Sequence, residues 1–426
     1  SRPSPGRCRA VLELPLDQRI DRSLLLHAAV SVVERLSDNG YSAFIVGGAV
    51  RDLLIGGKPK DFDVATNATP EQVVALFRGS RIIGRRFRIV HVRMGREIIE
   101  VTTFRGSHKG DDTNESKTSH RGLLLRDNVY GTLEEDAVRR DLSVNALYLD
   151  VVDNKILDHL NGLEDIDQRL IRIIGDPQTR YQEDPVRMLR VARFAAKLNF
   201  DIEADTEKSI VPVKHLLADV PSARLFDEAL KLFMSGYGLQ SYERLEELGL
   251  LDVILPEVAD HLRSRSAQLI IKKALGNTDQ RIARDKPCTP AFLFAAMLWP
   301  AVEEQSLELS KHSMSRPEAL NAAGQQVTQR TLQRIAIPKR FSMPMREIWS
   351  LQHRLEHQSP KRIKPTLTLR RFRAAFDLLL LRADASPDSL LSAVKFWEEQ
   401  QALYPDIVGS QPEEKRPPKK RRRRQR

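Results

Sequence analysis

The chain has 426 residues, 41% hydrophobic and 29% charged, an ordinary globular mix with enough apolar material for two to four domains. Its two cysteines, Cys8 and Cys288, form no CxxC and no Cys/His cluster, which excludes a disulfide framework and a structural zinc site and fits a reducing, cytoplasmic setting. The net charge is +11, yet Lys415 to Arg426 alone carry nine positive charges, so a nearly neutral globule is expected to trail a basic arm suited to a polyanion.

Residues 1–20 lack an apolar core of signal-peptide length and read as an irregular lead-in. Residues 22–39 place apolar side chains at helical spacing and stop at Asn39-Gly40. "SAFIVGG" predicts a buried strand ending in glycines, "AVRDLLIGG" a short helix closed by Gly56-Gly57, and "DFDVAT" a second strand. Thr69, Pro70 and Gln72 spell a capping box at the start of the next helix. "RRFRIVHVRMGREIIEVTTF" predicts a hairpin turning at Gly95, and 106–121 a polar loop. From about residue 134 the period is helical, through "EDPVRMLRVARFAAKLNF", "ARLFDEALKLFMSG", "TPAFLFAAMLWPAV" and "FRAAFDLLLLRA". No apolar run approaches the ~20 residues that span a bilayer, so a soluble chain without membrane contact is expected. The order, α/β first and helices after, predicts an α+β protein: a small head at 20–135, a helical body to about 400, and the basic tail.

Asp61 and Asp63 stand two apart on the second strand, so both carboxylates leave one face while Phe62 and Val64 point inward. Two acids on one face repel unless a cation lies between them. A bare Asp-x-Asp is more often a solvated strand end, but here it follows Gly47-Gly48, set between strand and helix where backbone N–H groups can meet a phosphate, with Arg51 adding a charged fork. A two-metal site needs a third acid, and Glu100 interrupts the apolar strand "EIIEVTTF". Downstream, "RRDLSVNAL" groups Arg139, Arg140, Asp141 and Asn145. Asp184, Arg187 and Arg190 fall on one face of a helix, able to meet a base edge or simply to bridge one another.

With "VGGAVRD", "DFDVAT", "IIEVTTFR", "RRDLSVNALY" and "EDPVRMLRVARFAAKL" in this order over 44–200, the chain resembles the class II nucleotidyltransferases, the bacterial poly(A) polymerases and CCA-adding enzymes. "IIGRRFRIVHV" and the basic tail resemble the poly(A) polymerase branch. The resemblance implies a nucleotidyltransferase head with a mixed or antiparallel sheet (21–135), a helical neck that reads the base (136–215), a helical body and RNA-binding region (216–400) and a basic tail (401–426). It implies two Mg²⁺ ions, replaceable by Mn²⁺, on Asp61, Asp63 and Glu100, with Asp141 as a further active-site acid. It gives triphosphate contact to Gly47, Gly48 and Arg51, bracing of that loop to Asp52, sugar and phosphate contact to Arg140, Asp141 and Asn145, and base contact to Asp184 and Arg187 with Arg190 and Arg193 nearby. Leu142, Ser143 and Val144 stand where the usual motif has Phe-Thr-Ile, a departure in packing and not in polar chemistry.

The activity so implied is template-free transfer of AMP from ATP to RNA 3′ ends by a cytoplasmic monomer, with RNA and RNA-decay machinery as partners. Lys419, Lys420, Arg421, Arg422, Arg423 and Arg424 are expected to hold RNA without reading its sequence. Two other readings compete: a CCA-adding tRNA nucleotidyltransferase, and an RNA-binding scaffold with an inactive head. "KKRRRR" also matches a nuclear import signal, which the bacterial-type motifs disfavour.

Overall fold

A computed structural model describes residues 11–84, 88–106, 116–118, 124–127 and 130–410, and the chain divides into two compact units, 1–219 and 220–426. The expected RNA-holding residues Lys419 to Arg424 lie outside the described residues, as does most of the 106–121 stretch, within which Ser116–Thr118 pairs antiparallel with Leu124–Asp127.

The first unit is built on an eight-stranded mixed sheet. Its strands are β1 (Leu12–Pro15), β2 (Ala43–Val46), β3 (Asp63–Thr66), β4 (Arg81–Ile83), β5 (Ile89–Met94), β6 (Glu97–Thr103), β7 (Leu147–Asp150) and β8 (Lys155–Asp158), in the order β1-β8-β7-β2-β3-β6-β5-β4. All neighbours are antiparallel except β3 and β6, which run parallel. The β5–β6 hairpin turns at Gly95, where φ is +64°. Two expectations about extent are corrected. The lead-in is not irregular throughout, because Leu12 to Pro15 pair with Asp158 to Lys155 as an edge strand. The sheet also does not close by residue 135, since β7 and β8 complete it.

Helix α1 (His27–Asp38) packs on β2, β3 and β6 through Val32, Val33 and Leu36. Helix α2 (Gly48–Leu54) closes as expected: Gly56 has φ +81° and the Gly57 N–H donates to the Asp52 carbonyl at 2.7 Å. Helix α3 (Pro70–Leu76) carries both bonds of the Thr69/Gln72 capping box. On the face opposite α1, Val46, Ala65, Phe104, Tyr148 and Leu157 form an apolar cluster with Ala137 of α4 (Leu133–Arg139).

The chain continues through α5 (Gly162–Asp167), α6 (Pro177–Glu183) and α7 (Val186–Leu198). Pro185 disfavours helical geometry at Asp184, which is extended (φ −148°, ψ 95°), and this breaks α6 from α7.

The second unit is helical, with α8 (Ser222–Phe233), α9 (Gly238–Glu247), α10 (Arg265–Ala283), α11 (Pro290–Lys311), α12 (Arg316–Arg334), α13 (Lys339–Glu356), α14 (Phe372–Ala385) and α15 (Pro387–Leu403) as its main helices. Trp299, Trp349 and Trp397 anchor its core, the latter two donating their indole N–H to the Ala295 and Leu355 carbonyls. Among the described residues no helix is long and apolar enough to cross a membrane.

Candidate active site

Strand register assembles one corner of the head. Val46, the last residue of β2, pairs with Asp63, the first of β3, and Asp63 pairs with Glu100 of β6. Cross-strand partners share a face, so the end of the "VGG" strand, the start of the "DFD" strand and Glu100 meet on the face that carries Tyr148. Asp61 lies just before β3 and is exposed, whereas Phe62 and Val64 are buried, which is the alternation expected for Asp61 and Asp63. Gly47 has φ +76° and ψ −133°, a conformation suited to glycine, and it turns the chain from β2 into α2.

Crowding raises the Asp63 carboxyl to a pKa of about 6: burial contributes most, Glu100 adds to it, Arg140 opposes, and Asp61 contributes further. The corner is thus a patch of acids short of positive charge. Glu100 leans toward the other neighbouring strand, its Oε1 3.2 Å from His91 Nε2. Among the described residues no three His, Cys, Asp or Glu side chains converge enough to hold a metal by themselves. The three-carboxylate clamp is therefore not closed, and what is present is an oxygen-donor set that substrate phosphates can complete, the usual manner of Mg²⁺.

Arg140 is the cation at this corner. Its Nε and Nη2 donate to Asp136 Oδ2 at 3.2 and 3.0 Å, and Nε also to the Tyr148 hydroxyl at 3.0 Å. A Cβ built on Gly47 would lie 3.7 Å from Arg140 Nη1. Burial works against the Arg140 charge, but Tyr148 and Asp136 outweigh it and hold its pKa above the ordinary arginine value.

Arg51, expected at the triphosphate, is 2% exposed and turned inward. Its guanidinium donates to Asp52 Oδ1 at 2.8 and 2.6 Å and to Asn145 Oδ1 at 2.5 Å, and stacks on Phe194. Asp52 also meets Lys197 of α7 at 3.5 Å. Arg51, Asp52 and Asn145 thus tie α2 to the turn just before β7 and to α7, with Arg51 Nη2 beside Gly48, 3.5 Å from where a Cβ would lie. Asp141 does not join the carboxylates. Its Oδ2 takes the Arg190 Nε–H and its Oδ1 the Leu142 N–H at 2.9 Å. Burial would raise its pKa, but Arg190, that N–H and Arg187 hold it well below the usual carboxylate range.

The face expected of Asp184, Arg187 and Arg190 is divided. Asp184 precedes α7 and accepts the Val186 N–H at 3.3 Å, Arg187 pairs with Glu183 at 2.8 Å, and Arg190 pairs with Asp141. Arg193, Arg190 and Arg51 all lie over the Phe194 ring, with 4.5 to 5.3 Å to its centroid.

Four residues not singled out in the sequence help build this region: Asp136, Tyr148, Phe194 and Arg180. The last donates Nη2 to the Arg139 and Arg140 carbonyls, both at 2.7 Å, and burial beside Arg187 draws its pKa down to about 10. The Asp136–Arg140 spacing of four was the one signal the sequence offered.

Residues 43–172 match the family described as poly A polymerase head domain, 199–262 the probable RNA and SrmB-binding site of polymerase A, and 312–426 the polymerase A arginine-rich C-terminus. The chain is 45% identical to poly(A) polymerase I of Escherichia coli O6:H1 over 93% of its own length and 87% of that protein. A CCA-adding enzyme of Bacillus pumilus is 37% identical over 49% of this chain and half of its own. The crystal structure of the Bacillus stearothermophilus CCA-adding enzyme with CTP matches at a TM-score of 0.61 and 25% identity, covering 89% of this chain and 83% of that one. The register that sets Asp63 beside Glu100, and 45% identity over 93% of the chain to the first of these relatives, lead to one assignment: the chain is a nucleotidyltransferase and belongs to the poly(A) polymerase family.

Proposed function

We propose that the protein adds adenylate residues from ATP to RNA 3′ ends without a template, acting in the cytoplasm as a monomer and in the service of RNA processing and decay. The observation that carries this reading is the 45% identity to an Escherichia coli poly(A) polymerase I across 93% of the chain. The likeness to the Bacillus pumilus CCA-adding enzyme reaches only half of the chain, which disfavours the tRNA-restricted alternative. The Asp63–Glu100 register argues against an inactive head, because a scaffold has no use for a partly buried Asp63 crowded by two further acids.

In the proposed reaction the RNA 3′-oxygen attacks the α-phosphorus of ATP, a new P–O bond forms as the bond to the β-phosphate bridging oxygen breaks, and pyrophosphate leaves. No side-chain nucleophile is needed. Asp61 and Asp63, with Glu100 beside them, would hold Mg²⁺, which when bound promotes deprotonation of the hydroxyl and offsets charge on the phosphates. The backbone at Gly47-Gly48 would receive the phosphate chain. The Asp141–Arg190 and Glu183–Arg187 pairs would keep the α6–α7 wall in place for the base.

The test is incubation with a generic oligoribonucleotide, Mg²⁺ and each nucleoside triphosphate separately. Long extension with ATP alone supports the proposal; addition confined to tRNA, ending after three nucleotides, contradicts it.

A further inference from the structure

The Tyr148 hydroxyl has no packing reason to exist. The residue is fully buried in the apolar cluster of the head, and a phenylalanine would fill the same volume. Its oxygen is nevertheless committed twice, donating to Asp136 Oδ2 at 2.7 Å and accepting from Arg140 Nε at 3.0 Å. Asp136, 5% exposed, has both oxygens engaged, because Oδ1 takes the Arg105 N–H at 3.1 Å and Oδ2 takes Tyr148 and Arg140.

A buried network this fully satisfied fixes its members. The Arg140 guanidinium is held by its Nε edge, over the Tyr148 ring, with 5.3 Å from Cζ to the centroid. Its backbone is held too, by Arg180 at the carbonyl. Nη1 has no acceptor among the described residues and lies on the Gly47 side, close enough to the acids for its charge to be felt at Asp63. Arg51 lies on the Gly48 side, where a Cβ would be 3.5 Å from its Nη2, with one N–H of each guanidinium nitrogen bonded to Asp52 or Asn145.

We propose that Tyr148 and Asp136 are positioning residues that aim Arg140 at the phosphate chain of the bound nucleotide, the contact that the resemblance already implies for Arg140. This deepens the functional reading above and rests on it. Arg140 then offers a pre-oriented N–H to an oxyanion, and the cost of ordering it is met in folding and not in binding.

The experiment is equilibrium binding of ATP with Mg²⁺ to the full chain without RNA, for the wild type, Tyr148→Phe, Asp136→Asn, Arg140→Ala and the Tyr148→Phe/Arg140→Ala double variant, with thermal melting of each. We expect Tyr148→Phe to weaken ATP binding about tenfold, the loss of one charge-assisted hydrogen bond. The double variant should bind no more weakly than Arg140→Ala alone, because Tyr148 acts only through Arg140. Asp136→Asn carries the test if Tyr148→Phe melts early. Unchanged affinity in the folded variants, or a double variant weaker by the full sum, overturns the proposal. A wild type that does not bind ATP overturns the functional reading, and this proposal with it.

Discussion

Asp63 is held at a pKa of about 6 by burial and by two neighbouring acids, so its charge opposes folding while serving the site. Asp63→Asn should therefore lower adenylate incorporation by about a hundredfold or more and leave the melting temperature unchanged or raised, as incorporation assays and calorimetry can check. Asp141 behaves in the opposite sense. Its folded pKa is depressed by Arg190 despite burial, so its stabilisation is present above the ordinary aspartate pKa of about 3.9 and is lost as pH falls through the folded value. Asp141→Asn should cost about 2 kcal/mol at pH 7, and denaturation at a series of pH values should show the gap to wild type closing below about pH 4. Asp61 and Asp63 were legible in the sequence because period-two alternation with Phe62 and Val64 fixes which side chains leave the core. The burial of Arg51 was not legible, because its partner Asn145 lies 94 positions away and nothing local marks an arginine as buried.

At the scale of elements, local signals set α2, α3 and the β5–β6 hairpin. Thr69 closes a complete capping box remote from the acids, so Thr69→Ala should cost about 1 kcal/mol with adenylate incorporation unaffected. Gly47 is different, because its φ of +76° strains any residue with a Cβ and the Arg140 side chain lies beside it. Gly47→Ala should cost roughly 1–3 kcal/mol and also weaken ATP binding, a coupling absent from Thr69→Ala. Edge strand β1 was not legible. Its four residues, "LELP", are ordered by pairing with Lys155 to Asp158, a long-range contact that local pattern does not encode. The α6–α7 break was partly legible: Pro185 marked a helix start, but the partners of Arg187 and Arg190 are Glu183 and Asp141, both off α7 and the second 49 positions away.

For the whole molecule, charge is divided between a nearly neutral body and a terminal run of nine cations in Lys415 to Arg426. Removing 411–426 should weaken single-stranded RNA binding mainly at low salt and flatten the dependence of log affinity on log salt by several units, measurable by titration at a series of ionic strengths. Steady-state incorporation at saturating RNA should change far less, because the acids and Arg140 lie in the head. The order of α/β head and helical remainder was readable from the change of hydrophobic period near residue 134, but the extent of the head was not, since β7 and β8 return to the sheet after that change. The central claim, that this head transfers adenylate to RNA ends without a template, is tested most directly by nucleotide selectivity on a primer that is not tRNA. With Mg²⁺ and an unstructured oligoribonucleotide, long products with ATP and few with CTP, GTP or UTP are predicted; no extension, or a stop at CCA on tRNA alone, would contradict the account.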